Sequence, residues 1–247
     1  MKIFVSNDDG IGAQGIGALV RALGRSHEVF VCAPDGERSA ISHAITLRTP
    51  IRAREVDMPG AKAAFALSGT PADCIKIAYS EFGMPDAVFS GVNHGENVGV
   101  DVIYSGTVAA AAEAVFLGVP AVAVSVMRAE QYEFGAACHY AQRLARYIET
   151  FRPQGVLFNL NTPACATHEI KGLKFPVIGL QEYSTLYQKR IGEDGQTSFF
   201  PPRDEGEVPS PIGCDVYWLH RGFATLTPIQ YDLTDKKMLA TLAENFK

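Results

Sequence analysis

An α/β fold built on a mainly parallel sheet is what the sequence predicts, and three observations predict it. The chain opens on a short β-rich apolar run, Ile3-Phe4-Val5-Ser6, of the kind that suits the centre of a sheet. Residues 15–25 then place Ile16, Leu19, Val20 and Leu23 at helical spacing, and Glu28 to Ala33 make a second strand stopped by Pro34. A helix joining two such strands makes them parallel neighbours, and the same alternation recurs as far as residue 160.

The elements follow in order. Ile45 to Val56 and Ala63 to Leu67 read as extended chain, a β pair turning at Met58-Pro59-Gly60. Ser68 to Asp73 opens a helix, with Thr70 as N-cap, Pro71 at its first position and Ile75, Ala78 and Tyr79 on its apolar face. Asp86 to Phe89 is a strand, and Ser90 to Gly99 a glycine- and asparagine-rich loop. A helix over Val108 to Leu117, opened by Tyr104-Ser105-Gly106-Thr107 and closed by Gly118, precedes the buried strand Val119 to Ser125. A long helix over Tyr132 to Thr150 and a strand at Val156 to Leu160 complete the alternation. Beyond it, Thr185 to Phe200 reads as a hairpin turning at Asp194-Gly195, and a proline-rich loop runs on to Gly213 as an oligomer contact or lid. Cys214 to Thr227 reads as strand-like chain, and Asp235 to Phe246 as a terminal helix.

Composition narrows the function classes. With 247 residues the chain can bury roughly three quarters of its unfolded surface, and 47% hydrophobic with 20% charged residues is ordinary for a globular protein. A net charge of −5 excludes a binder of nucleic-acid duplex that works through a broad basic surface. No apolar stretch approaches the ~18–20 residues of a membrane span, and Asn7-Asp8-Asp9 interrupts the one early apolar run, so neither an anchor nor a signal peptide is expected. Five cysteines without a C-x-x-C pair predict reduced thiols and a cytoplasmic location.

The chemistry concentrates after the first strand. Asn7-Asp8-Asp9-Gly10 are turn residues, yet they stand where an open α/β sheet binds ligands. Adjacent carboxylates there repel each other and lose hydration, so a bound cation is expected, with Asp8 and Asp9 as its ligands. Gly10-x-Gly12-x-x-Gly15 with Asp35 beyond it imitates a dinucleotide fingerprint, but Asp8 and Asp9 would repel an unshielded pyrophosphate. The polar segment 35–42 leaves the second strand on the same edge, which brings Ser39 within reach of the metal and lets Arg38 face an anion; a plain solvated loop suits the same residues. Ser105 and Thr107 suit an anion site at a helix start, and Ser105 equally suits a cap. His94 reads as a loop histidine and Glu113 as a structural residue.

Five motifs in order carry a resemblance: S-N-D-D-G from Ser6, D-x-x-R-S from Asp35, S-G-T-P-A-D-C from Ser68, S-G-V-N-x-G-x-N-x-G from Ser90 and D-V-I-Y-S-G-T-V-A-A-A from Asp101. Together they resemble the survival protein SurE family of nucleotidases, with a weaker echo at Gly222 to Ile229. The resemblance implies a Rossmann-like three-layer core and a single SurE-like domain over residues 1–247. Within it a core over about 1–180 would precede a protruding hairpin and oligomerisation segment over about 181–247, in homodimers or homotetramers. It implies a metal-dependent phosphomonoesterase acting on nucleoside monophosphates, with Asp8 and Asp9 as the catalytic pair. Asp8, Asp9, Ser39 and Asn93 would bind one divalent metal, and Asn97, Ser105, Gly106 and Thr107 would surround the phosphate. Two departures stand out: Ala40 where a glycine is common, and Phe223-Ala224 for Tyr-Val. The all-oxygen set suits Mg2+ or Mn2+ over Zn2+. The rival classes are a metal-dependent nucleotide sensor without turnover and a nicotinamide oxidoreductase.

Overall fold

Side chains that alternate along each strand are what separate the layers of this molecule. Its computed structural model describes residues 1–180, 187–192, 194–200 and 210–246. On β1 (Lys2–Ser6), Ile3 and Val5 face one way and Phe4 the other, and all three are fully buried. The first face is covered by α1 (Gln14–Leu23) and α5 (Gly135–Phe151), which pack Ile16, Leu19, Leu144 and Ile148 against it. The second is covered by α2 (Pro71–Phe82) and α4 (Gly106–Phe116), through Ile75, Ala78, Val108 and a run of alanines. Strands buried on both faces are continuously apolar, as the sequence pattern requires.

The sheet extends from β1 through β2 (Glu28–Pro34) and β4 (Ala63–Leu67) on one side, all parallel, with the short β3 (Ala53–Glu55) antiparallel at that edge. On the other side β5 (Ala87–His94), β6 (Ala121–Val126) and β7 (Leu157–Thr162) continue in parallel. Beyond β7 lie an antiparallel β11 (Ala224–Ile229) and the two-residue β8 (Leu173–Lys174), nine strands in all among the described residues. Gly15 lets α1 press onto β5, because a Cβ there would lie 2.0 Å from the Val92 carbonyl oxygen. Thr70 caps α2 in a full capping box with Asp73, as its sequence predicts.

Three expectations are corrected. Cys214 to Thr227 is not continuous strand: Val216 and Leu219, three residues apart, are buried on one side of the short helix α6 (Asp215–Leu219), and β11 starts after Gly222 turns at a φ of 86°. The loop expected to start at Ser90 begins later, since β5 runs to His94 with a register shift against β6 between Ser90 and Asn93. Residues 181–247 are not all peripheral either, because β11 lies inside the main sheet. The hairpin is present as β9 (Gln188–Ile191) paired with β10 (Thr197–Phe200), whereas residues 185–186 and most of the proline-rich loop lie outside the described residues. A short α3 (Asp101–Tyr104) precedes α4, and α7 (Lys236–Asn245) is the terminal helix.

Candidate active site

The carboxyl ends of β1, β2 and β5 and the start of α4 converge on Asp8 and Asp9. Asn7 shapes the turn by donating Nδ2 to the Gly10 carbonyl at 2.8 Å, and the Arg38 N–H pins the segment after β2 to the Asp8 carbonyl at 2.7 Å. Asp8 is buried, and Thr107 donates to both of its oxygens: the hydroxyl to Oδ1 at 2.6 Å and the backbone N–H to Oδ2 at 3.0 Å. This approach requires glycine before it. A Cβ on Gly106 would lie 2.9 Å from the Asp8 Cβ and 3.0 Å from its Oδ2. The positive end of the α4 dipole thus faces a carboxylate, while Ser105 caps the helix by accepting the Val108 N–H at 3.1 Å.

Asp9 is held from the other side. Its Oδ2 accepts the His94 N–H at 3.1 Å and lies 3.2 Å from the His94 ring Nδ1. Burial pushes the Asp8 carboxyl above its ordinary range, the Thr107 hydrogen bond opposes this, and the charge of Asp9 adds to it. Burial likewise raises Asp9, with His94 opposing and Glu37 adding. Among the described residues no lysine or arginine pairs with either carboxylate, since Arg38 turns to Asp35 at 3.1 Å. Two desolvated, unneutralised carboxylates fit a hard divalent cation. Among the described residues no group of three or more His, Cys, Asp or Glu side chains is arranged to hold a metal ion, so any cation here would also need the amide, hydroxyl or water oxygens around the pair.

The other expected residues divide. Asn93 is half-buried and donates Nδ2 to the Gly95 carbonyl at 2.8 Å, a bond that uses the amide nitrogen and not Oδ1. Ser39 is exposed and gives its hydroxyl to Glu37 at 2.8 Å. Asn97 is buried away from the carboxylates, donating its backbone N–H to Asn161 Oδ1 and its Nδ2 to Ser125 Oγ, both at 2.8 Å. Its carbonyl accepts from Asn159 at 2.8 Å and Asn161 at 3.1 Å. Thr107, expected at the phosphate, spends its hydroxyl on Asp8.

Sequence reasoning missed Ser125, Asn159, Asn161 and Asp215. Ser125 and Asn161 are polar residues near the carboxyl ends of apolar strands and Asn159 is a polar residue inside one, which is the signal that could have found them. Asp215 gave no such signal: it is fully buried, takes the Gly99 N–H on Oδ2 at 2.9 Å, and takes the Gly179 and Val216 N–H groups on Oδ1. His94 was underrated and Glu113 was not. Glu113 ties α4 to α2 and to the segment after β2, through Lys76 at 3.4 Å and His43 at 2.8 Å.

A family model described as Survival protein SurE matches residues 3–185 of the chain. The chain belongs to the SurE family. It is 37% identical over 250 residues to the 5'-nucleotidase SurE of Syntrophomonas wolfei, covering all of this chain and 95% of that one. It is 40% identical over 247 residues to the 5'-nucleotidase SurE of Syntrophobacter fumaroxidans, covering 99% of each. The crystal structure of the SurE protein from Aquifex aeolicus superposes with a TM-score of 0.86 at 29% identity, over the full length of both chains. The three-layer α/β architecture expected from the motifs is therefore that of a solved SurE structure.

Within this SurE site the Thr107 contact has a measurable consequence. Thr107→Val removes the hydroxyl that holds the Asp8 carboxyl down, so the Asp8 pKa rises further. Where ionisation of Asp8 sets the acid limb of the kcat/KM profile for AMP, that limb is expected to move to higher pH. The optimum kcat/KM is expected to fall about ten- to a hundredfold for one lost hydrogen bond to a charged group. An unmoved acid limb would mean that Asp8 does not titrate in that limb.

Proposed function

We propose that this chain is a metal-dependent phosphomonoesterase that hydrolyses nucleoside monophosphates to nucleoside and phosphate, a 5'-nucleotidase. The observation that carries this reading is the desolvated Asp8–Asp9 pair, facing a helix N-terminus, in a chain matched end to end by relatives named 5'-nucleotidases. Asp8, Asp9 and the Asn93 Oδ1 would hold one Mg2+ or Mn2+, and Ser39 would join them by turning its hydroxyl from Glu37. When bound, the ion supplies polarisation of the phosphoryl group and a lowered pKa for coordinated water. The Thr107 amide is spent on Asp8, so the Gly106 amide and the positive end of α4 would face a phosphate at the same corner, with Ser105 capping the helix and Asn97 bracing the neighbouring loop. His94 grips one Asp9 oxygen from backbone and ring, which makes Asp9 a fixed acceptor and disfavours it as the atom attacking phosphorus against water.

Two further parts of the reading rest on surface and thiol chemistry. The apolar side chains of Met238, Leu239 and Leu242 on α7 and of Ile191 and Phe199 on the hairpin are exposed, which supports self-association as a homodimer or homotetramer. Five free cysteines, with burial pushing Cys32 up to about 12 and Cys138 to about 11, support a reducing, cytoplasmic setting.

The test is phosphate release from nucleoside 5'- and 3'-monophosphates in Mg2+, in Mn2+ and in EDTA. Release from 5'-monophosphates that EDTA abolishes and metal restores is expected. Tight nucleotide binding without release would establish the sensor instead, and release unaffected by EDTA would remove the metal.

A further inference from the structure

The nucleotidase reading accounts for the phosphate and leaves the nucleoside unassigned, and an aromatic group beside Asp9 offers a place for it. The His94 ring, which contacts the Asp9 carboxylate, has its centroid 4.7 Å from that of Tyr132 and 5.3 Å from that of Phe134. Tyr132 and Phe134 lie nearly parallel, 9° apart in plane with centroids at 6.0 Å. All three rings are half-buried: Tyr132 and Phe134 pack against the outside of the core and keep part of their surface open beside the site.

The segment that carries them is anchored. Met127 donates its N–H to the Thr162 carbonyl at 2.8 Å, and Arg128 donates its N–H to Glu96 Oε2 at 2.9 Å. Phe134 backs onto the start of α1, its ring 3.4 Å from where a Cβ on Gly15 would stand. The segment carries two acidic residues, Glu130 and Glu133, against one basic residue, Arg128. Glu130 and Glu133 disfavour a phosphate on this segment and tolerate a neutral π-system, whereas a cation held by Asp8 and Asp9 would draw the phosphate, which orients a nucleotide with its base over the aromatic group.

We propose that Tyr132, stacked in this group, is a specificity-determining residue that receives the nucleobase of the monophosphate. The proposal rests on the nucleotidase reading for its substrate class. Stacking on an aromatic ring tolerates any base and favours the larger π face of a purine.

The experiment compares AMP with ribose 5-phosphate, which carries the same phosphomonoester without a base, in Tyr132→Leu and Tyr132→Phe. Adenosine binding by titration calorimetry is measured alongside. For Tyr132→Leu, KM for AMP is expected to rise about tenfold with kcat within about twofold, while ribose 5-phosphate kinetics stay at the parent value. Tyr132→Phe, which keeps the ring, is expected to restore the parent KM. Equal effects on both substrates would make Tyr132 a merely structural residue and overturn the proposal, as would no effect on either. Should the parent hydrolyse neither substrate, Tyr132-dependent binding of adenosine would still uphold base stacking while the nucleotidase reading fell. Adenosine binding indifferent to Tyr132→Leu would overturn the stacking alone if AMP were still turned over.

Discussion

Asp8→Asn is expected to lower phosphate release from AMP by about 10³-fold at saturating Mg2+ while leaving the fold intact. The fold survives because the site can rewire around an amide. The Asn oxygen accepts the Thr107 N–H as Oδ2 does now, and the Thr107 hydroxyl, which can donate or accept, turns to accept from the new NH2. Activity does not survive, because an amide brings no negative charge to a cation. The same substitution reveals the cost of the carboxylate pair. Asp8 and Asp9 both have folded-state pKa values raised above the ordinary 3.8 by burial, so their ionisation opposes folding in metal-free protein. Their stabilising effect is complete below that value and is lost as pH rises through the folded pKa values. In EDTA, the Tm of Asp8→Asn relative to the parent is therefore expected to increase as pH rises above the ordinary carboxylate value of 3.8. A variant that turns over AMP at the parent rate would remove Asp8 from the metal, and a Tm difference that shrinks with pH would show the pair already neutralised.

Gly106→Ala tests the other wall of the site with one methyl group. The added Cβ would meet the Asp8 Cβ at 2.9 Å, the Asp8 Oδ2 at 3.0 Å and the Pro71 Cγ at 3.2 Å. None of these can retreat easily: Asp8 is tied to Thr107, and Pro71 is the rigid first residue of α2. Either α4 moves away from Asp8 or Asp8 leaves its place, and a shift of about 1 Å in such a constellation costs about 10²-fold in rate. The expected result is a fall of about 10²-fold in kcat/KM. Overpacking of about 1–3 kcal/mol would accompany it, read as a Tm lower by roughly 2–10 °C. Activity within threefold of the parent would mean that α4 has slack the hydrogen bonds do not suggest.

What the sequence disclosed and what it withheld follow a physical division. Asp8 and Asp9 were legible because a polar cluster directly after a buried strand is a local pattern, and the fold class because alternating strand and helix periods are local too. The partners of those carboxylates were not. Thr107 could be placed in the first turn of a helix, but whether its hydroxyl faced a phosphate or Asp8 depends on how α4 docks against β1. That docking is set by the missing Cβ of Gly106. Ser39 differs, because Glu37 stands only two residues away, and the sequence left open whether that carboxylate or a cation would take its hydroxyl. Short α6 escaped because Val216-Tyr217-Trp218-Leu219 is an unbroken apolar run, which a buried strand and a short helix share. Ala40 was visible as an oddity and acquires a cause: its φ of 54° lies in the left-handed region, where glycine is at ease and alanine is strained.

The clamp made by Asp215 gives the site a history in time. The loop carrying Asn97 and Gly99 is gripped by a carboxylate that lies 116 residues further along the chain. During synthesis at about 5–20 residues per second, Asp8 and Asp9 leave the ribosome roughly ten to forty seconds before Asp215 can follow them. By the end of that interval β1 to β7 have all been made and can pair, and Ser125, Asn159 and Asn161 can already hold Asn97, but Gly99 still lacks the carboxylate that takes its N–H. A chain stopped before α6 would lack β11 in the sheet and the Asp215 grip on Gly99, so the loop beside the site is fastened in two stages, first at Asn97 and later at Gly99.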